Sequence, residues 1–126
     1  MGKETNSKKY DLEERTLVFT KRVIQLVNAV PQTLANREIA KQLTRSAESV
    51  GANYIEANES LGKKDFLYHI RISRKEAKES RYWFQLLECP EALIPERISL
   101  IQEALELMRI FGAIVEKTRQ KSISYQ

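Results

Sequence analysis

Two pairs of glutamates are the residues of this sequence whose spacing best suits chemistry. Glu56 and Glu59 lie three residues apart, and Glu76 and Glu79 repeat that spacing further along the chain. Acids three residues apart share one face of a helix, where their carboxylates can hold a hard cation such as Mg²⁺. The spacing therefore permits a magnesium site, although ordinary charged helices produce it often.

A magnesium site of this kind would suit an all-α nucleotide pyrophosphohydrolase, which is the one enzyme class that the sequence permits. Other sites lack ligands, because His69 is the only histidine and Cys89 the only cysteine. Di-iron bundles need Glu-x-x-His pairs, and zinc sites need several His or Cys ligands. The sequence also has no glycine-rich phosphate loop and no nucleophile elbow. We expect no catalytic residues, no metal and no cofactor.

A cationic arc lies within the segment that follows Gly62. Between Lys63 and Arg81 there are seven Lys or Arg residues and three Asp or Glu residues, a balance of +4 that equals the net charge of the chain. On a helical wheel six of these cations fall in one arc, roughly opposite the apolar stripe: Lys64, Arg71, Arg74, Lys75, Lys78 and Arg81. The remaining arc holds Asp65, Tyr68, Ile72, Glu76, Glu79 and Trp83. The cationic arc could follow the phosphates of RNA or DNA, but a solvated helix face has the same composition.

Small and polar residues form a ladder on the second and third helical segments. Its members are Ser46, Asn53 and Glu56 on one segment and His69, Ser73, Glu76 and Ser80 on the next. Folding a hairpin about Leu61 and Gly62 would bring Glu56 near His69, Asn53 near Ser73 and Ser46 near Ser80. Bonded across the seam, these groups would fix the register of the two helices. We interpret the ladder as architecture rather than as a catalytic site.

Four amphipathic helices must position these residues. The apolar positions step by three and four in four segments, and no segment alternates with period two. Asp11 with Glu14 resembles a capping box at the start of the first helix, and Pro31 ends that helix. Asn36 is a candidate N-cap for the second helix. Pro95 suits the first turn of the fourth helix. Short connections make neighbours antiparallel, so we predict one all-α domain, an antiparallel up-down-up-down four-helix bundle. Its predicted bounds are residues 11–119, between flexible tails at 1–10 and 120–126.

The fourth helix carries two apolar stripes. We predict that Ile98, Ile101, Leu105, Met108, Gly112 and Val115 face the bundle core. The second stripe holds Leu100, Leu107, Phe111 and Ile114. The first helix also has extra apolar positions at Leu17, Val18, Ile24 and Val27. A helix that faces one core needs one stripe, so we predict that the second stripe is a homo-oligomer interface.

The bulk composition indicates a cytoplasmic protein without a membrane partner. The chain has 126 residues, of which 42% are hydrophobic and 30% charged, and it has no apolar run as long as the roughly 18 residues that a membrane span needs. A single cysteine excludes an internal disulfide and suits a reducing compartment.

The segment "LTRSAESVGANYIEANESLGKKDFLYHIRISRKEAKESRYWFQLL", followed by "EALELMRIFGAIVEK", resembles the bacterial four-helix bundle proteins. That family includes proteins encoded by intervening sequences in large-subunit ribosomal RNA genes, and it is similar to the accessory variability proteins of diversity-generating retroelements. Some branches carry Glu-Gly where this chain has Glu56-Ala57, and a serine where it has Gly62. The resemblance covers residues 12–117. It implies a homopentameric barrel of bundles without known catalytic activity, and its retroelement relatives bind nucleic acid and a reverse transcriptase. Lys117, Arg119 and Lys121 join the cationic arc as candidates under that implication.

The first functional hypothesis is a non-enzymatic, ring-forming scaffold that binds RNA or DNA through the cationic arc. The alternative is a scaffold for another protein, in which the charges of the third helix form ion pairs between subunits. The magnesium-dependent pyrophosphohydrolase remains a third hypothesis.

Overall fold

The chain folds into four long helices, as the sequence predicts. The computed structural model describes the backbone of residues 3–124 and the side chains of residues 12–121. Helix α1 spans Lys3–Ala29, α2 spans Leu34–Asn58, α3 spans Lys63–Leu86 and α4 spans Ile94–Ser124, with a short 3-10 turn at Glu91–Leu93. Neither a strand nor a cis peptide bond occurs in this part of the chain. The all-α prediction is confirmed.

The helix ends agree only in part with the capping signals. Helix α1 begins at Lys3, so Asp11 lies within it and does not begin it. Both α1 and α4 extend into the segments predicted as tails. The flexibility of those segments stays a prediction. Residues 1, 2, 125 and 126 lie outside the described residues. Gly62 is the N-cap of α3. Pro95 lies in the first turn of α4, as predicted.

Asn36 is not the N-cap of α2. Thr33 takes that role, since its hydroxyl accepts a hydrogen bond from the backbone N–H of Asn36 at 3.1 Å. The Asn36 side chain is buried instead, donating to the carbonyl oxygens of Pro31 and Glu88 and accepting from the Glu88 N–H, each at 2.9 Å. These bonds join the α1–α2 connection to the α3–α4 connection, a long-range role that a local capping signal does not reveal.

The interhelical bonds step in opposite directions along neighbouring helices, as antiparallel packing requires. Along α1, Arg15 bonds to Glu103 of α4 while the later Arg22 bonds to the earlier Glu96. Between α2 and α3, Ser46 meets Ser80 whereas the later Asn53 meets the earlier His69. The helices therefore surround one core in the order in which they occur in the chain.

The core is built from the stripes predicted for α1, α2 and α3. Phe19 of α1 packs edge-on against Phe84 of α3, with ring centroids 6.1 Å apart. Tyr54 of α2 meets Phe111 of α4 with centroids 5.7 Å apart. Close approach of α1 and α2 depends on Gly51, because a Cβ atom there would lie 3.0 Å from Oγ1 of Thr16. Contacts of this kind connect all four helices, so the bundle packs as one domain.

The prediction for α4 is wrong for the oligomer interface and for part of the core stripe. Leu100, Leu107 and Phe111, predicted as an oligomer interface, are fully buried in the core of the single chain, and Ile114 is half-buried against it. Of the stripe predicted to face the core, Val115 is buried in the core, Ile101 and Met108 pack against it, and Ile98 is 59% exposed. Both stripes have helical spacing, so the period alone could not determine which of them faces inward. The predicted interface thus belongs to the core face of α4, and Met108, Gly112 and Val115 of the predicted core stripe lie on the side that faces α3.

Candidate nucleic-acid interface

The cationic arc of α3 borders a groove against α4. Lys64, Arg71, Arg74, Lys75 and Lys78 are exposed, as predicted, whereas Arg81 is half-buried. The groove has a volume of about 470 Å³ and is lined by Arg71, Arg74, Lys75 and Lys78 of α3 and by Met108, Val115, Glu116 and Arg119 of α4. The arc therefore does not point wholly away from the bundle, because one edge of it faces another helix.

Arg74 lies across α4 at Gly112. A Cβ atom built on Gly112 would lie 3.5 Å from Nε and 3.7 Å from Cζ of Arg74, so the guanidinium rests in van der Waals contact with that position. A Cβ atom at residue 112 would therefore make an ordinary van der Waals contact with Arg74 and would not displace it. Arg74 thus lies over α4 at Gly112, and it lines the groove together with the apolar Met108 and Val115.

The groove cations of α3 are not neutralised by ion pairs. Within the described side chains, no carboxylate lies within 4.0 Å of Arg71, Arg74, Lys75 or Lys78. Arg119 pairs with Glu116 at 3.5 Å on the exposed rim. The lining therefore holds five cations against one carboxylate, which gives it a positive potential that attracts anions.

Four predicted cations lie apart from the groove. Lys64 is exposed near the start of α3, and Arg81 has a buried Nε without a hydrogen-bond partner among the described residues. Lys117 and Lys121 lie exposed on α4, where they line a separate small depression. The predicted binding set is thus divided, with Arg71, Arg74, Lys75, Lys78 and Arg119 brought together.

The polar ladder joins α2 to α3, as interpreted from the sequence. The hydroxyls of Ser46 and Ser80 meet at 2.8 Å, and both residues are fully buried. Ser80 also reaches the Glu76 carbonyl of its own helix at 2.9 Å. Ser73 donates to the carbonyl oxygen of Val50 at 2.8 Å rather than meeting Asn53. The small serines thus let the two helices approach closely while their hydroxyls remain bonded.

The partner of His69 is Asn53, not Glu56. Nδ1 of His69 lies 3.0 Å from Oδ1 of Asn53, while the Asn53 amide nitrogen donates to the carbonyl and hydroxyl oxygens of Ser49. Because Oδ1 is then the acceptor, Nδ1 of His69 carries the hydrogen. Glu56 is exposed on the outer side of α2. The hairpin pairing near the turn is therefore shifted from the predicted one, which placed Glu56 beside His69.

The second predicted glutamate pair meets an arginine. Glu76 is 7% exposed, and its Oε2 lies 3.1 Å from Nη1 of Arg45, while Glu79 lies 4.0 Å from the same guanidinium. Burial opposes ionisation of Glu76, yet hydrogen bonds with Glu79 and Arg45 lower its pKa; the contact with Glu76 raises the pKa of Glu79. Arg45 thus occupies the place of a cation beside this pair. No group of three or more His, Cys, Asp or Glu within the described residues could hold a metal ion.

Extra apolar residues of α1 form an exposed surface. Leu17, Val18 and Ile24 are between 39% and 48% exposed. Val27, predicted with them, is half-buried against the core. Exposed apolar side chains of this kind suit contact with another protein surface.

Sequence reasoning missed two aromatic residues on the outer side of α3. Tyr68 and Tyr82 are each 58% exposed. The helical wheel grouped Tyr68 with acidic residues and did not consider Tyr82. Their spacing from Arg71 and Lys78, at three and four residues, was the signal that could have identified them.

Comparisons with known proteins agree with the fold. A family model described as 23S rRNA-intervening sequence protein matches residues 8–113. The chain is similar to a crystal structure of a protein of unknown function from the S23 ribosomal protein family of Bacteroides thetaiotaomicron. That match has 28% sequence identity and a TM-score of 0.70, and it covers 86% of this chain and 98% of the other. No curated protein matches the chain. Among the described helices, none is both long and apolar enough to cross a bilayer.

Proposed function

Because the chain belongs to the 23S rRNA-intervening sequence protein family, we propose that it is a non-enzymatic, cytoplasmic helical scaffold that binds RNA or DNA. The binding surface in this proposal is the groove between α3 and α4. The observation that carries the proposal is the convergence of Arg71, Arg74, Lys75 and Lys78 on one groove without ion pairs.

The side chains of the groove are suited to binding phosphate groups. A guanidinium can bond two phosphate oxygens at once, and lysine ammonium groups add point charges along the strand. Neutralising phosphates releases condensed counterions, so binding should weaken steeply as salt rises. Four cations along α3 supply several such contacts without any base-specific pattern.

We further propose that the scaffold is a homo-oligomer, with a pentamer favoured by the family resemblance. The exposed apolar residues Leu17, Val18 and Ile24 of α1 support an interface there, in place of the buried stripe of α4. The test is light scattering of the wild-type protein and of the Leu17→Glu/Ile24→Glu variant at tens of micromolar. A stable assembly that the variant reduces to monomers supports the proposal, and a monomeric wild type contradicts it.

The nucleic-acid part is tested by charge reversal in the groove. The Arg74→Glu/Lys78→Glu variant is compared with Lys21→Glu/Lys41→Glu, which makes the same charge change on exposed positions of α1 and α2. Binding of structured RNA and duplex DNA is measured by fluorescence anisotropy at low salt. We expect the groove variant to lose affinity at least thirtyfold and the control to lose less than threefold. Equal losses of affinity in the two variants would show that binding depends on the net charge of the protein and not on the groove. Absence of binding by the wild type would overturn the proposal.

The second candidate is a scaffold for another protein without a nucleic-acid role, which the exposed apolar residues of α1 also favour. In that case the cations of α3 would form ion pairs between subunits. The same Arg74→Glu/Lys78→Glu variant distinguishes the two, because disassembly in light scattering supports intersubunit pairing, whereas intact assemblies without RNA affinity support the first proposal.

A further inference from the structure

The outermost face of α3 combines aromatic and cationic side chains. Its six members are spaced at four and three residues in turn, and all are exposed: Lys64, Tyr68, Arg71, Lys75, Lys78 and Tyr82. No acidic residue belongs to this face. We call these six residues the aromatic–basic face. It borders the groove through Arg71, Lys75 and Lys78.

The two tyrosines of this face have no role in the core. Each is 58% exposed, although tyrosine rings usually bury most of their apolar surface. The neighbouring rings stand nearly perpendicular to them: His69 to Tyr68 at 78° and Trp83 to Tyr82 at 73°, each with centroids 5.1 Å apart. Neither neighbour is stacked in parallel on a tyrosine, and both tyrosines remain more than half exposed.

The cations lie between the two rings. Tyr68 and Tyr82 are separated by about 21 Å along the helix axis, at about 1.5 Å per residue. Arg71, Lys75 and Lys78 occupy the interval on the same face. An extended strand that crossed this interval would place its phosphates on the cations and its bases beside the rings at the two ends.

Building on the proposed function, we propose that the aromatic–basic face selects single-stranded over double-stranded nucleic acid. Unpaired bases present their flat surfaces to Tyr68 and Tyr82, and stacking of this kind accepts any base. In a duplex the bases are stacked on one another, so a duplex can use the cations but not the rings. The cations then supply affinity for both forms, and the tyrosines supply the preference.

The test compares an unstructured single-stranded RNA with a duplex RNA of equal length, and repeats the pair with DNA. The Tyr68→Ala/Tyr82→Ala variant removes both rings, while Tyr68→Phe/Tyr82→Phe keeps the rings and removes only the hydroxyls. We expect the alanine variant to lose tenfold or more in single-strand affinity and less than twofold in duplex affinity. The phenylalanine variant should stay within twofold of wild type on both.

Three results would overturn the inference. Equal losses on single strand and duplex would show that the rings do not contact unpaired bases, while leaving the proposed function intact. Disassembly of the alanine variant in light scattering would assign the tyrosines to a subunit interface. Absence of binding by the wild type to every probe would overturn the proposed function and this inference together. If the wild type binds duplex and Arg74→Glu/Lys78→Glu loses that binding, the proposed function stands even when the tyrosine variants show no preference.

Discussion

The two flanks of α4 use charge in opposite ways. On the α1 side, Arg15 makes a bidentate contact with Glu103 at 2.7 and 2.9 Å, and Arg22 does the same with Glu96 at 3.0 and 2.9 Å. On the α3 side, Arg74 lies on Gly112, with no carboxylate within ion-pair distance among the described side chains. Cations of the same type are therefore neutralised within the fold on one flank and available to a ligand on the other.

This difference depends on what α4 presents at each flank. Toward α1 it presents glutamates, and their contacts raise the pKa of both arginines further above the usual value. Toward α3 it presents Met108, Gly112 and Val115, which have no carboxylate, and Glu116, which pairs with Arg119 of the same helix. A count of charges along α3 could not reveal this, because the neutralising partners are supplied or withheld by a different helix.

The comparison of the two flanks requires that the side of α4 between them, which holds Phe111, faces the core. Phe111→Ala tests this assignment and should have the largest effect. Phe111 is fully buried and packs against Tyr54, so the free energy of unfolding should fall by about 3–5 kcal/mol. Chemical denaturation measures it, at a protein concentration at which light scattering shows a monomer. Ile98→Ala is the control, since Ile98 is exposed and its truncation should change stability by less than about 0.5 kcal/mol. If the control were the more damaging variant, the assigned rotation of α4 would be wrong.

Placing an acid in the groove should make the α3 flank resemble the α1 flank. In Gly112→Asp a carboxylate would pair with Arg74, so RNA affinity should fall about tenfold, which is about 1.4 kcal/mol. Gly112→Asn is the matched control, with nearly the same shape and no charge, and should retain affinity within threefold. Fluorescence anisotropy at low salt measures both. Equal losses in the two variants would mean that space rather than charge matters at residue 112.

Removing one acid from each flank should affect different properties. Glu103→Gln breaks the bidentate contact with Arg15, so the free energy of unfolding should fall by about 1 kcal/mol while RNA affinity stays unchanged. Glu116→Gln removes the one carboxylate of the groove, so RNA affinity should rise while stability stays within about 0.5 kcal/mol. Thermal melting and anisotropy on both variants check this. If both variants changed stability and RNA affinity in the same way, the two flanks of α4 would not differ in the use of their charges.

Acid should weaken the α1 flank. The hydrogen bond with Arg22 holds the pKa of Glu96 below its usual value. This contribution to stability is therefore complete above the unfolded pKa and is lost as pH falls through the folded one. Melting curves below about pH 5 should show a smaller loss of Tm in Glu96→Gln than in wild type. An identical acid response would show that Arg22 and Glu96 do not interact in solution.

The sequence was sufficient for much of the fold. Helical spacing predicted the core stripes of α1, α2 and α3, and small polar residues predicted the meeting of Ser46 with Ser80, because local periodicity and residue size determine these features. It was not sufficient for α4, where apolar residues surround most of the helix and the period does not select a face. The role of Asn36 also escaped it, since the partner Glu88 is far away in the chain.

The candidate site was only partly predictable, for the same reason. Each groove cation of α3 was identified from the helical wheel, but its relation to Gly112 and Met108 depends on how α4 packs. His69 was assigned the wrong partner because its contact with Asn53 depends on how α2 and α3 pack near the turn. Contacts between residues of different helices thus could not be predicted from the sequence and had to be read from the structure.

The salt dependence of RNA binding tests the central claim most directly. The wild type is compared with a variant in which Arg71, Arg74, Lys75 and Lys78 are all replaced by glutamine, and the logarithm of the association constant is plotted against the logarithm of salt concentration. Four lost phosphate contacts should reduce the slope by about 3, at roughly 0.7 per contact with a single strand. A wild-type slope near zero, or the same slope in both proteins, would contradict the claim that these four cations are held free to bind phosphate.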